Sequence, residues 1–212
     1  MNKKSYKEYT LHSAFSLLEL IIVIVLISII NSISIPKNKI SKLDLASDKI
    51  LLYLNYTRYI AHIDNKFDIE DDKWFKKRWT LKFKNCNESI GGIYYSVFSD
   101  TNYGGRINKD ECLKDPITNK YLFSNGCKED SLNDKSKYIL LTKEFGVEKV
   151  EVSCYRGTGL GYISFGYDGK VYSYIGDTPK EIITPCSIKL YDKYDNFSTI
   201  VIEPKTGYIY KL

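Results

Sequence analysis

Residues 15–35 read FSLLELIIVIVLISIINSISI, an apolar run of 21 residues in which Glu19 is the only charged side chain. As a helix, this run is long enough to cross the ~30 Å hydrocarbon layer of a bilayer. Three lysines precede it with one glutamate, and a positive flank of this kind stays on the cytoplasmic side. The sequence therefore predicts a single membrane-spanning helix, with the chain that follows it exported from the cytoplasm.

A cleavable signal peptide is the alternative interpretation of this run. Its apolar core usually covers ~7–15 residues and ends at a small-x-small cut, whereas this run is longer and offers only Ser32-Ile33-Ser34. Neither a signal peptide nor a plain anchor explains Glu19. A lone carboxylate in a spanning helix costs ~2.5–3.5 kcal/mol and usually marks a functional partner. We therefore expect Glu19 to have a partner.

The sequence AFSLLE at residues 14–19, followed by a run of Ile, Val and Leu, resembles the processing site of type IV pilins and type II secretion pseudopilins. In that family a prepilin peptidase cuts on the cytoplasmic side, before a Phe that becomes N-methylated, and the fifth residue of the mature chain is acidic. The resemblance implies a cut between Ala14 and Phe15, which makes Glu19 the fifth residue. The family usually has Gly before the cut, so Ala14 implies slower processing.

The resemblance also implies that Glu19 and Pro36 act in subunit assembly. The cut creates an ammonium at Phe15, and Glu19 can pair with the ammonium of a neighbouring subunit, because a buried charge is tolerated only when it is paired. Many type IV pilins carry a helix-kinking proline at the position of Pro36, where one backbone carbonyl is freed. A simple helix break at the membrane interface explains Pro36 equally well.

The exported part begins as an amphipathic helix and continues as strands. From residue 37 to about residue 64, apolar side chains recur at helical spacing, which predicts a continuation of the membrane helix. After Asp72 short alternating or aromatic segments predict strands, with tight turns at Asp168-Gly169 and Lys205-Thr206-Gly207. The predicted strands cover residues 79–84, 93–99, 138–141, 150–153, 161–167, 170–174, 187–191 and 199–203, with 208–210 behind them.

The predicted fold class is α+β, with a long N-terminal helix, kinked at Pro36, packed on an antiparallel β-sheet. This is the pilin-like fold that the resemblance implies. The body itself resembles H-type pseudopilins or FimT-like minor pilins only weakly. The predicted division is a cytoplasmic leader at 1–14, a transmembrane or filament-core helix at 15–36, an amphipathic continuation at 37–65, and a periplasmic β-rich domain at 66–212.

Five cysteines in an exported protein predict disulfides, and the absence of a Cys-x-x-Cys spacing disfavours a zinc site. We pair Cys154 with Cys186, which flank the predicted hairpin region. We pair Cys112 with Cys127, which bracket a polar loop, and this leaves Cys86 over. A bridge from Cys86 to Cys112 or to Cys127 stays open, because spacing alone does not fix connectivity.

Residues 100–111 fit most positions of a twelve-residue calcium loop of the EF-hand or dockerin type. Gly105 falls where the loop turns sharply, but Gly104 replaces a side-chain ligand, so calcium would bind weakly, at ~10⁻⁴–10⁻³ M. A polar turn between strands is the alternative. No cofactor is required, and Ca²⁺ is the one candidate, with these ligands: Asp100, Asn102, Arg106 through its carbonyl, Asn108 and Glu111.

The cluster Lys76, Lys77 and Arg78 lies between Trp74 and Trp79, an arrangement of cations and aromatic rings that can grip a DNA backbone and stack on bases. The alternative is a solvated turn whose tryptophans enter the core. Without residues 1–14 the net charge is only +3, since three Lys and one Glu are removed from a chain of net charge +5. The body therefore has no strong nucleic-acid signature.

With only two histidines, the chain has little material for common catalytic sites, and we expect no enzyme activity. We expect a minor pilin or pseudopilin of a type II secretion, type IV pilus or DNA-uptake (competence) system. It would be a single-pass protein of the bacterial inner membrane with its C-terminal domain in the periplasm. Its implied partners are other pilins, the prepilin peptidase and an inner-membrane assembly platform. The rival interpretations are a DNA-receptor minor pilin and a tethered calcium- or glycan-binding module that never polymerises.

Overall fold

The computed structural model describes residues 16–32, 41–87, 89, 92–124, 134–175 and 179–212. The chain divides into two compact units, Met1–Lys39 and Ile40–Leu212. In the first unit the described structure is one helix, α1 (Leu17–Ser32). The second unit holds the other helices and all the described strands, so it has the α+β composition that the sequence predicts.

Helix α2 (Lys42–Ile63) opens the second unit and is amphipathic, as predicted. It begins at Ser41, whose hydroxyl accepts a hydrogen bond from the Asp44 backbone N–H at 3.0 Å and so caps the first turn. One face is buried and includes Ile50 and Leu54, which have no exposed surface. The predicted kink at Pro36 and the junction of the two helical segments lie outside the described residues.

The strands form two antiparallel sheets, not the single sheet that the sequence predicts. The first has the order β2-β1-β4-β5-β6 and the second the order β3-β7-β8-β9. Helix α2 contacts β1 of the first sheet and β8 and β9 of the second, so its buried face covers both. The strands are β1 (Trp79–Asn85), β2 (Ile93–Phe98), β3 (Val147–Val152), β4 (Tyr162–Phe165), β5 (Val171–Ile175), β6 (Pro179–Glu181), β7 (Cys186–Asp192), β8 (Phe197–Ile202) and β9 (Ile209–Lys211).

Both predicted tight turns are confirmed, but one predicted strand is wrong. The turn at Asp168-Gly169 joins β4 to β5, and the turn at Lys205-Thr206-Gly207 joins β8 to β9. Residues 138–141, predicted as a strand, instead lie in a 3-10 helix (Lys137–Ile139) and in the start of α3 (Leu141–Phe145). Gly146 ends α3 in the left-handed region at φ 71°, and a glycine at that place is a helix stop signal.

A buried carboxylate links α2 to the long connection after β2. Asp115 is only 2% exposed, and its Oδ2 accepts a hydrogen bond from the Tyr53 hydroxyl at 3.0 Å. The Ile117 backbone N–H and the Thr118 hydroxyl also donate to this carboxylate. Burial by itself would raise the pKa of Asp115, but these hydrogen bonds outweigh burial and hold the pKa below its usual value.

Replacing Tyr53 by Phe should therefore destabilise the protein. The buried carboxylate would lose one donor, and we expect the free energy of unfolding to fall by about 1–3 kcal/mol near pH 7. Tyr59→Phe is the matched control, because Tyr59 lies on the same helix with 59% of its surface exposed. Denaturant unfolding of the two variants gives the comparison, and equal stabilities would contradict the role of the Tyr53 hydroxyl.

The same pair of variants gives a pH dependence of known sign. A depressed folded-state pKa stabilises the protein above the unfolded-state pKa of about 3.9, and this stabilisation is lost as the pH falls through the folded-state value. Since Asp115 has such a depressed pKa, the difference between wild type and Tyr53→Phe should shrink below about pH 4.

Candidate functional site

Helix α1 is apolar on every side and is exposed. Its Leu, Ile and Val side chains are between 42% and 78% exposed, and Glu19 is its only charged residue. A helix that is hydrophobic all round belongs in an apolar environment, such as a protein core or a membrane. In the part of the chain that the structure describes, no helix is both long and apolar enough to span a membrane.

Glu19 lies in the first turn of α1 and has a local partner. Its Oε2 accepts hydrogen bonds from the Ser16 backbone N–H at 3.2 Å and from the Ser16 hydroxyl at 3.4 Å. In return, the Ser16 hydroxyl oxygen accepts a hydrogen bond from the Glu19 N–H at 3.2 Å. This reciprocal pattern is a capping box, which the spacing S-x-x-E already indicates in the sequence. Glu19 therefore caps its own helix, and its predicted pairing with an ammonium of a neighbouring subunit stays a prediction.

The other N-terminal positions singled out in the sequence lie outside the described residues. These are the cleavage pair Ala14 and Phe15, and the proline at the predicted kink, Pro36. The described part of α1 begins two residues after the predicted cut. The predictions for cleavage, methylation and the proline kink therefore stay predictions.

Arg78 does not belong to an exposed cationic patch. It is only 6% exposed, and its guanidinium lies 4.6 Å from the ring centre of Trp74 and 3.7 Å from that of Tyr172. Its Nε is buried without a hydrogen-bond partner, and burial lowers the pKa of the group. The side chain therefore acts as a packing element between the 3-10 helix (Trp74–Lys77) and the first sheet.

Lys76 and Lys77 do not form one patch with Arg78, as the predicted DNA-binding cluster would require. The Lys77 ammonium lies 2.7 Å from an Asp71 carboxylate oxygen, and the Tyr103 hydroxyl donates to the same carboxylate. These two donors, Lys77 first, lower the pKa of Asp71 to about 2. Lys76 instead lines a groove of about 250 Å³ with Lys82. The three cations are thus in three different environments, and the tryptophans beside them are partly buried.

Substitution of Arg78 should separate packing from charge. We expect Arg78→Met to be at least as stable as the wild type, because it keeps an apolar chain between the two rings and removes an unpaired buried charge. Arg78→Ala should lose about 2 kcal/mol, because it removes the packing as well. Arg106→Met, in an exposed loop, is the matched control and should change little. Equal destabilisation by Met and Ala in thermal unfolding would contradict this role.

The predicted calcium loop is closed by its own hydrogen bonds. Glu111 Oε1 accepts from the Thr101 N–H and hydroxyl, both at 3.0 Å, and from the Asn102 N–H at 3.2 Å. The two oxygens of Asp100 accept from the backbone N–H groups of Gly104 and Gly105, both at 3.1 Å. Both predicted charged ligands therefore serve the loop backbone in this structure.

The other predicted calcium ligands lie in the same loop. Asn108 donates through its amide to Glu111 Oε2 at 3.1 Å, Asn102 accepts from the Gly104 N–H at 2.6 Å, and the side chain of Arg106 is exposed. Within the described residues, no group of three or more His, Cys, Asp or Glu side chains is placed to hold a metal ion. Glu111 thus holds the loop closed in this structure, and calcium binding stays a prediction.

This clamp can be tested by hydrogen exchange at the Thr101 and Asn102 amides. Glu111→Ala should speed their exchange by about tenfold or more, because charge-assisted hydrogen bonds are lost, whereas Glu111→Gln keeps one acceptor oxygen and should have a smaller effect. Asp110→Ala is the control, since this exposed neighbour makes no described hydrogen bond to the loop. If Glu111→Ala left the exchange rates of these two amides unchanged, and millimolar calcium slowed their exchange in the wild type, Glu111 would instead be a metal ligand.

The disulfide prediction is confirmed in one part and wrong in another. Cys154 and Cys186 are bridged, as predicted. Cys112 is a free buried thiol that donates to the Asn108 carbonyl at 3.2 Å, so the predicted bridge from Cys112 to Cys127 is corrected. Its side chain packs in a small apolar cluster, and burial raises its pKa to about 12. Cys86 is disulfide-bonded rather than left over, and Cys127 lies outside the described residues.

Two contacts in the second unit have no clear signal in the sequence. The first joins Tyr53 to Asp115, which are 62 residues apart, and no local pattern marks such a contact. His62 has no partner that the sequence indicates, but its Nδ1 lies 2.9 Å from the Tyr167 carbonyl oxygen. The predicted hairpin beside Tyr167 was the only signal that another chain segment could approach this part of α2.

The most extensive exposed apolar surface among the described residues is that of α1, which has Glu19 in its first turn. The cation cluster and the loop at 100–111 are largely satisfied by contacts within the chain. No protein-family model, curated protein or solved structure matches the chain.

Proposed function

We propose that the chain is a minor pilin or pseudopilin, a structural subunit of a type II secretion pseudopilus, a type IV pilus or a DNA-uptake filament. A prepilin peptidase removes residues 1–14 and Phe15 becomes N-methylated. The hydrophobic helix holds the subunit in the inner membrane, with the second unit in the periplasm, until the subunit joins a filament. The partners are sister pilins, the peptidase and an assembly platform, and the subunit catalyses no reaction.

The exposed apolar surface of α1 is the observation that carries this proposal. Each Leu, Ile or Val side chain gains about 1.5–3 kcal/mol when it leaves water, so burial of the twelve in α1 is worth on the order of 20 kcal/mol. The cost of placing Glu19 in the same phase is about 2.5–3.5 kcal/mol. The helix therefore favours an apolar environment strongly even with an unpaired carboxylate.

Glu19 fits the proposal because only part of its carboxylate is used locally. In the described structure Oε2 accepts both hydrogen bonds from Ser16, and Oε1 has no described partner. A cut before Phe15 would create an ammonium one residue before Ser16. In a filament the free oxygen can pair with the ammonium of a neighbouring subunit, and the capping box can persist at the same time.

Helix α2 of the second unit supports the proposal, because one of its faces is buried and others are exposed. One face of α2 is buried on the two sheets, while residues such as Leu45 and Leu52 remain 41% and 37% exposed on other faces. A subunit that packs side by side with others needs such a helix, stable in its own domain and accessible to neighbours. A single amphipathic helix on antiparallel sheets meets this need.

The proposal is tested first at the N-terminus of the protein purified from its native membrane. Mass spectrometry should find a chain that begins with N-methylated Phe15. A chain that begins at Met1, or beyond residue 35, would refute the proposal. The same cells provide the material for a test of Glu19.

Two variants of Glu19 separate charge pairing from helix capping. Gln in a capping box keeps the hydrogen bond to the helix start but carries no charge, whereas Val keeps neither. If charge pairing drives assembly, both Glu19→Gln and Glu19→Val are still processed, and both enter filaments at least tenfold less than the wild type. Normal assembly of Glu19→Gln, measured in sheared filament fractions, would assign Glu19 to capping alone.

A further inference from the structure

A pocket of about 240 Å³ lies beside α2 and has no part in the filament proposal. Four side chains of α2 line it, together with the backbone of Gly169 in the turn between β4 and β5. The four have the spacing i, i+3, i+4 and i+7, which places them on one face of the helix. They are Asn55, Arg58, Tyr59 and His62.

Arg58 supplies a permanent positive charge to this pocket. It is half-buried, and in the described part of the chain no carboxylate lies within ion-pair distance of its guanidinium. Its stem lies close against the turn between β8 and β9. A Cβ added at Gly207, where φ is +60°, would lie 3.2 Å from Arg58 Nε and 2.8 Å from the Gly169 carbonyl oxygen. The two glycine turns therefore allow the close approach that positions Arg58.

Two other polar side chains of the pocket are fixed by backbone groups. The Tyr167 carbonyl oxygen lies 2.9 Å from His62 Nδ1, and since a carbonyl can only accept, Nδ1 donates to it. The Asn55 amide donates to the Leu51 carbonyl at 2.9 Å, which leaves its own carbonyl oxygen free. The pocket is thus built of positioned groups rather than freely rotating ones.

Among the described residues, none of the side chains that line the pocket is acidic, so none of them cancels the charge of Arg58. The nearest acidic residue in the adjoining turn is Asp168, and its carboxylate already accepts from the Lys170 N–H at 3.2 Å and lies 3.4 Å from the Lys170 ammonium. The Tyr59 ring, 59% exposed, adds an apolar wall beside the cation. The described walls therefore combine the permanent cation of Arg58 with polar groups and apolar surface.

We propose that this pocket binds a carboxylate group carried on a small apolar or aromatic body. The planar guanidinium of Arg58 matches a carboxylate with two parallel hydrogen bonds. One permanent cation balances one negative charge, whereas a phosphate carries about −1.5 to −2 and would keep an uncompensated charge. The Tyr59 ring and the aliphatic stem of Arg58 contact the apolar body of the ligand. The carboxylate belongs to a free small molecule or to an acidic side chain of another protein.

Titration of the full chain with sodium benzoate tests the site. We expect saturable binding that shifts the side-chain Nε–H resonance of Arg58 in NMR spectra. Arg58→Gln should weaken benzoate binding at least tenfold, and Arg58→Lys, which keeps the charge without the planar fork, should weaken it less. Arg106→Gln, in the exposed loop at 100–111, is the matched control and should bind benzoate as the wild type does.

Three further ligands decide the chemistry and the source of the carboxylate. Benzyl alcohol should not bind, and phenyl phosphate should bind more weakly than benzoate. Tighter binding of phenyl phosphate, or benzoate binding unchanged by both Arg58 variants, would overturn the proposal. A blocked peptide whose only carboxylate is a Glu side chain flanked by Phe then identifies the source. Competition with benzoate assigns the site to a partner protein, and no competition assigns it to a free small carboxylate.

Discussion

The removal of α1 from water is the constraint on which the behaviour of this chain depends. Twelve apolar side chains on one short helix gain far more in an apolar phase than Glu19 loses there. The second unit has its own core, in which side chains of α2 and both sheets are buried together, so it does not need α1 for its packing. The chain therefore combines a unit that has its own buried core with a helix whose apolar side chains are exposed.

Within the second unit, four carboxylates are paired with donors of the same unit. Glu111 and Asp100 accept from the backbone of their own loop, Asp115 from α2 and its own turn, and Asp71 from Lys77 and Tyr103. Acids that serve the backbone in this way organise loops at little cost in burial, because each oxygen is paired. Asp100 and Glu111, which resemble calcium ligands in the sequence, accept hydrogen bonds from the loop backbone in the structure for the same reason.

The sequence predicted those parts of the fold that have a local signal. Helical spacing placed α2, period-two alternation and aromatic content placed most strands, and glycine turns placed the two hairpins. The segment at 138–141 was misassigned because a short apolar run suits a buried strand and a buried helix turn equally well. The split into two sheets has no local signal at all, since it depends on which strands pair across long loops.

In the candidate site, too, the sequence predicts features that depend on neighbouring residues and not those that depend on distant ones. The capping box at Ser16 and Glu19 is readable from four residues, whereas the ammonium that we propose as a second partner of Glu19 would arise only by cleavage of the chain before Phe15. The burial of Arg78 was not readable, because Tyr172, which stacks on it, lies 94 residues away in sequence. The different surroundings of the two arginines are visible only in three dimensions. Arg78 is buried between two aromatic rings, whereas Arg58 is half-buried and lines a pocket beside α2.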